Sequence, residues 1–164
     1  MSTTTTQQNT VYIVDANFFI NFHKWIPQSS FPAFWAQLEQ ALKDGKWVLL
    51  DVVVNEVRGE PALKRWCILQ KQNGLVTEIT DTDKIAGAAI NNKYEMVDQA
   101  SGKSEVDTYI IAHAKANGYG IASDEKQRKT IADLYKIPDV CGKLGIISRR
   151  KPTAFFTEVG IMLS

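Results

Sequence analysis

Val11-Tyr12-Ile13-Val14-Asp15-Ala16-Asn17-Phe18-Phe19-Ile20 is the stretch on which the fold turns. Its first residues are apolar and partly β-branched, the pattern of a strand buried on both faces, and the run stops abruptly on a carboxylate. The residues after Asp15 read as a helix start, with Asn17 placed to serve the new N-terminus. An acid at the carboxyl end of the first strand of an α/β sheet lies where such folds build their sites. A second run, Tyr119-Gly120-Ile121-Ala122-Ser123-Asp124, also ends on an acid. If both strands are central and parallel, Asp15 and Asp124 open into one crevice, which suits a divalent metal and phosphate chemistry.

Working outward, apolar runs predict strands at Val11–Asp15, Lys46–Asp51, Leu75–Ile79, Tyr119–Asp124 and Gly145–Ser148. Segments of helical periodicity lie between them: Phe31–Leu42, stopped by Asp44-Gly45; Ala62–Gln72, ended by Asn73-Gly74; Asp83–Ala100; and Ser104–Ala116, closed by Asn117-Gly118. Strands alternating with helices imply right-handed crossovers, a parallel sheet and a three-layer α/β/α sandwich. No repeat and no long linker divides the chain. One domain over residues 11–164 is expected, after a polar, disordered lead-in over residues 1–10.

With 164 residues, 45% of them hydrophobic, the chain can bury a sizeable core. No apolar run approaches the ~20 residues of a membrane helix. Met1–Thr10 has neither the basic nor the apolar part of a signal peptide. A cytoplasmic protein with no membrane partner is expected, and Cys67 and Cys141, far apart and without ligand spacing, read as buried free thiols. The net charge of +1 carries no global nucleic-acid signal. Setting aside four acids around a metal, however, would leave 14 acids against 19 Lys and Arg. Basic residues gather at Lys126, Arg128 and Lys129 and at Arg149-Arg150-Lys151, each cluster by itself a solvated loop. No GxGxxG, Walker or GxSxG sequence is present, so nucleotide-cofactor and serine-hydrolase chemistry have little support.

Two further acids extend the pair. Glu56 follows the second strand, and if Asp51 caps a short helix, Glu56 falls in its second turn near the same rim. Asp51 itself is then better explained as the cap than as a ligand. Asp107 lies in the first turn of a helix, where an acid complements the dipole, but its neighbours Val106, Ile110 and Ile111 turn it toward the protein. Packed together, Asp15, Glu56, Asp107 and Asp124 would repel one another and raise each other's pKa unless a cation neutralised them. Hard oxygen ligands favour Mg²⁺ or Mn²⁺ over zinc. His23 and His113 are isolated and read as packing or helix-surface residues; Asp139 reads as a helix cap.

In this order the motifs resemble the PIN-domain nucleases: strand-Asp-x-Asn, a Glu in the post-strand helix, an Asp at a helix start, and Ser-Asp after a strand. The closer resemblance is to the DUF4411 subgroup of PIN-like, VapC-type toxins. It is carried by the strand-Asp opening, Phe31-Pro32-Ala33-Phe34-Trp35, Lys103-Ser104-Glu105-Val106-Asp107, Ser123-Asp124-Glu125-Lys126 and Ile137-Pro138-Asp139-Val140-Cys141, and it spans Val11 to Phe156. The subgroup often has Ala-Asp-Pro where this chain has Val106-Asp107-Thr108, and Thr-Glu-Glu where it has Ser123-Asp124-Glu125. That leaves two acids for one role, and Asp124 is preferred because it ends the strand directly.

The resemblance implies a parallel five-stranded α/β/α sheet and a metal-dependent endoribonuclease, the toxin of a toxin–antitoxin pair. RNA is then the substrate and a small antitoxin protein the partner, with a homodimer left open. Asp15, Glu56, Asp107 and Asp124 would be the catalytic and metal-holding acids for Mg²⁺ or Mn²⁺, with Asp15 shared between ions and Glu56 helping to deprotonate the nucleophile. Asn17, Lys103, Lys126 and Arg128 would touch substrate, although Asn17 serves equally well as a helix cap. Two rivals stand beside this reading: a catalytically silent PIN fold that binds RNA or protein, and an aspartate-based phosphotransfer domain. The second is weakened because Asn17 stands where haloacid-dehalogenase-like enzymes place a second Asp.

Overall fold

Tyr12 pairs with Trp47 on one side and Gly120 on the other, and this register sets the middle of a five-stranded, wholly parallel sheet. The computed structural model describes residues 10–162, so the lead-in expected over 1–10 lies, except for Thr10, outside the described residues. Among them the elements run β1 (Tyr12–Val14), α1 (Ala16–Trp25), α2 (Pro32–Lys43), β2 (Trp47–Leu50), α3 (Asp51–Glu56) and α4 (Pro61–Gln72). They continue with β3 (Val76–Thr77), α5 (Asp81–Lys93), α6 (Glu105–Asn117), β4 (Gly120–Ala122), α7 (Ile137–Leu144), β5 (Ser148–Arg149) and α8 (Pro152–Val159). The sheet order β3-β2-β1-β4-β5 makes a three-layer α/β/α sandwich. The chain winds outward from β1 through β2 to β3, then returns to β4 on the other flank of β1. The direction therefore reverses between β1 and β4, and a crevice opens there at the carboxyl ends of both strands.

The strands are short but wholly buried where they matter: Tyr12, Ile13, Val14, Ile121 and Ala122 are all inaccessible to solvent. One face is covered by an aromatic cluster that joins four helices to the sheet. Phe19 of α1 lies within 6 Å of Trp35 of α2, Trp47 of β2 and Trp66 of α4. Phe155 of α8 meets Tyr12, Phe18 and Trp47 edge-on. Offset and edge-on aromatic contacts of this kind add to the stabilisation from burial itself. The aromatic alternation along α1 thus fixes the angle at which that helix leaves Asp15. On the other face, Gly87 lets α5 approach α6 closely, since a Cβ there would come within 2.9 Å of Thr108 Oγ1 and the Tyr109 ring. Gly120 allows the Tyr12 ring to lie against β4, where a Cβ would meet it at 2.7 Å.

Several boundaries differ from the sequence reading. Helix α5 ends at Lys93 and not at Ala100, because Asn91 Oδ1 accepts hydrogen bonds from the N–H groups of Met96 and Val97 (2.9 Å each) and turns the chain away. The last strand lies at Ser148–Arg149, later than Gly145–Ser148, because Gly145 (φ 70°) closes α7 in the left-handed region. Helix α8 was not foreseen, although Pro152 at its first position is a recognisable start signal. The cap of α1 is Asp15, whose side chain accepts from the Ala16 N–H; Asn17 is an exposed residue inside the helix. Asp51 is the first residue of α3 and Leu50, not Asp51, is its cap; the Asp51 carboxylate instead accepts at Oδ1 from the N–H of Ile79 (3.1 Å) and ties the exit of β3 to the end of β2. Among the described residues no helix is long and apolar enough to cross a membrane.

Candidate active site

Asp15 leaves β1 with its backbone still in register: its N–H donates to Ala122 O at 2.9 Å, and its own carbonyl accepts from Phe19 as α1 begins. Its side chain, 3% exposed, has two partners. Oδ1 accepts from the Ala16 N–H (2.9 Å) and Oδ2 from Ser123 Oγ (3.1 Å). Burial, and then the charge of Glu125, push the Asp15 carboxyl up to about 7 despite the help of Ser123; Glu56 raises it further. Two donated hydrogen bonds would ordinarily hold such a group low. Desolvation and like charge outweigh them.

Asp107 is the third residue of α6. Burial raises it first, then the charges of Asp15, Glu125 and Glu56 in that order, to about 8, while a hydrogen bond with Ser104 pulls the other way. Ser104 caps α6 in the left-handed region at φ 75°, a conformation uncommon for a non-glycine residue and found disproportionately at functional sites. Glu56 is the last residue of α3, exposed at the rim; burial raises its carboxyl and Arg58 lowers it. The charges of Glu56 and Glu125 thus both reach Asp15 and Asp107 at the β1/β4 switch point.

Asp124 and Glu125 have different surroundings. Asp124 Oδ2 accepts from Asn21 Nδ2 of α1, and it is Glu125 and Glu56, not Asp124, whose charges bear on Asp15 and Asp107. The physical reason lies in Ser123, 1% exposed, whose Oγ donates to Asp15 while accepting from the N–H of Glu125 (3.2 Å). That bent connection carries Glu125 back beside the strand end. Its Oε2 then accepts from the Ile137 N–H (3.0 Å) at the start of α7. Ser123 was not among the expected site residues, although it stands in the Ser-Asp motif. Its signal was its place between the last strand residue and an acid pair.

The remaining candidates separate. Asn17 is exposed on α1, close in sequence to Asp15 and released from capping. Lys103 and Lys126 are exposed; Lys103 precedes the Ser104 cap of α6, and Lys126 follows Glu125. Arg128 is held by its own loop, with its guanidinium 3.7 Å over the Tyr135 ring and Nη1 donating to the carbonyls of Ile131 and Asp133 at 3.3 Å. His23 Nδ1 lies 3.4 Å from Glu60, and His113 Nδ1 lies 3.1 Å from Asp83; neither belongs to the acid set. Cys67 and Cys141 are buried free thiols, both pushed up to about 12 by burial. Asp139 binds the N–H groups of Lys136 (2.9 Å) and Arg128 (3.0 Å) and so holds the start of α7.

Among the described residues no three His, Cys, Asp or Glu side chains already converge on a single ion position. The donor chemistry nonetheless fits a hard divalent cation. The set is all carboxylate, with no imidazole or thiol, and burial first and like charge second raise Asp15 and Asp107, a cost that a bound counter-charge would relieve.

A family model described as "Domain of unknown function (DUF4411)" matches residues 12–158. No curated protein and no solved structure matches the chain.

Proposed function

The chain belongs to the DUF4411 family, and we propose that it is a metal-dependent endoribonuclease that hydrolyses RNA phosphodiester bonds. One observation carries this reading: the charges of Glu125 and Glu56 reach Asp15 and Asp107 at the sheet's switch point, and those two carboxyls are driven up to about 7 and about 8, first by burial and then by their neighbours' charge. Such a charge arrangement is costly in a folded protein and is characteristic of a functional site. Its resemblance to the PIN-domain toxins supports RNA as substrate and a small antitoxin protein as partner.

In this proposal Asp15, Asp107, Glu125 and Glu56 hold Mg²⁺ or Mn²⁺. Such an ion, when bound, would supply Lewis-acid stabilisation of charge on the scissile phosphate and would make water a better nucleophile. The chain's own residues do the rest. Ser123 and the Ala16 N–H orient Asp15 through both of its oxygens. The Ile137 N–H orients Glu125. Glu56, at the open rim and with a raised proton affinity, is placed to accept the proton that the nucleophilic water gives up. Asn17, the second residue of α1, is exposed near Asp15, where a phosphate oxygen would approach.

Incubating the purified protein with mixed single-stranded RNA in Mg²⁺, in Mn²⁺ and in EDTA tests the proposal. Cleavage that needs either metal supports it. RNA that is bound but left intact with both metals would favour the silent binding module instead.

A further inference from the structure

Eight of the nineteen Lys and Arg residues fall between positions 126 and 151, with Asp133 and Asp139 as the acids of that stretch. The segment therefore carries +6 and the rest of the chain −5. Both of its acids are committed to backbone: Asp133 Oδ2 accepts from the Thr130 N–H (3.1 Å), and Asp139 Oδ2 from Arg128 and Lys136. The segment borders a cleft of about 650 Å³ whose wall includes Lys126, Arg128, Ser148 and Arg150. Lys126 and Arg150 are exposed, and Arg128 is fixed in place by Tyr135. Glu125 also lines this cleft, so the cleft and the acid set share a residue.

We propose that this cleft binds the phosphodiester backbone of single-stranded RNA on one side of the scissile phosphate. The inference rests on the nuclease reading and adds to it the place where the substrate is gripped. A centre of four carboxylates repels a polyanion, and a strand can be held across it only where an adjacent basic surface outweighs that repulsion. The cleft meets this need: it is concave, is lined by three of the segment's eight basic residues, Lys126, Arg128 and Arg150, and has Glu125 in its wall. An anionic lipid surface is the alternative polyanion, but a recess that opens onto an acid set suits a strand better than a bilayer.

The test measures binding of a labelled oligouridylate of about 16 nucleotides in EDTA, so that affinity is read without cleavage. Lys126→Ala with Arg150→Ala should weaken binding about tenfold and make the salt dependence shallower by about 1.4 in log–log slope, at about 0.7 per lost phosphate contact. Arg150→Glu should weaken it further. Both sites are exposed, and circular dichroism confirms that the variants fold. Unchanged affinity and slope in both variants would overturn the cleft even if metal-dependent cleavage were observed. A parent that binds phosphatidylserine vesicles and not the oligonucleotide would overturn it as well. Failure of the nuclease reading shows separately, as intact RNA in the presence of metal.

Discussion

Glu125 Oε2 accepts a 3.0 Å hydrogen bond from the N–H of Ile137, which fastens the acid after β4 to the first residue of α7. Glu125 is thereby held where its charge bears on Asp15. Its neighbour Asp124 points instead to Asn21 on α1. Adjacent acids in a turn thus have separate tasks.

Glu125→Gln is expected to lower cleavage by about 1000-fold, in line with loss of several kcal/mol of metal-dependent stabilisation. Asp124→Asn should stay within a few fold of the parent, because an amide can still pair with Asn21. Single-turnover rates on the same RNA decide between them. The reverse ranking would return the role to Asp124.

Ser123→Ala removes the hydroxyl that donates to Asp15 and accepts from Glu125. Groups that orient metal ligands typically contribute 10–100-fold in metal affinity or activity. A weakening of Mn²⁺ binding by about that factor is expected by calorimetry, with the melting temperature little changed. Unaltered Mn²⁺ affinity would show that Ser123 only packs.

Protons and stability are linked with a definite sign. Asp15 and Asp107 ionise at about 7 and about 8 in the folded protein, against an ordinary 3.8. Between these values the folded state holds protons that the unfolded chain has released, so stability falls as pH rises. The loss begins near pH 4 and is complete above about pH 8. Metal-free protein should therefore melt at progressively lower temperature from acid to mildly alkaline buffer, and Asp15→Asn should flatten that decline. A variant whose pH profile coincides with the parent's would remove this carboxyl from the balance.

Added Mg²⁺ or Mn²⁺ should raise the melting temperature, and more so at pH 8 than at pH 5.5, because the cation binds the ionised carboxylates. At 100 times the dissociation constant the gain is about 2.7 kcal/mol. No rise at saturating metal would contradict a cation site at these acids.

Much of this arrangement was legible in the sequence. Val11–Asp15 and Tyr119–Asp124 marked the two central strands, because a buried parallel strand needs a continuous apolar run and the site acids end those runs. Glu56 and Asp107 could be placed because caps and short helices locate a residue within one turn. The different settings of Asp124 and Glu125 were not legible, since they depend on the Ser123 hydroxyl and on the Ile137 N–H, twelve residues from Glu125. The capping role of Asp15 was hidden for a similar reason: a carboxylate can serve a helix and a site at once. Helix α5 was drawn too long because Asn91, a helix-compatible residue, turns the chain through contacts to Met96 and Val97 that periodicity does not register.

The central claim is that Asp15 and Asp107 act in cleavage and do not merely cap their helices. Single-turnover cleavage of a single-stranded RNA by folded Asp15→Asn and Asp107→Asn, measured beside their affinity for that RNA, tests it most directly. Each variant should lose about 1000-fold in rate while binding RNA as tightly as the parent or more so, because a negative charge beside a polyanion has gone. Cleavage by both folded variants at the parent's rate would contradict it.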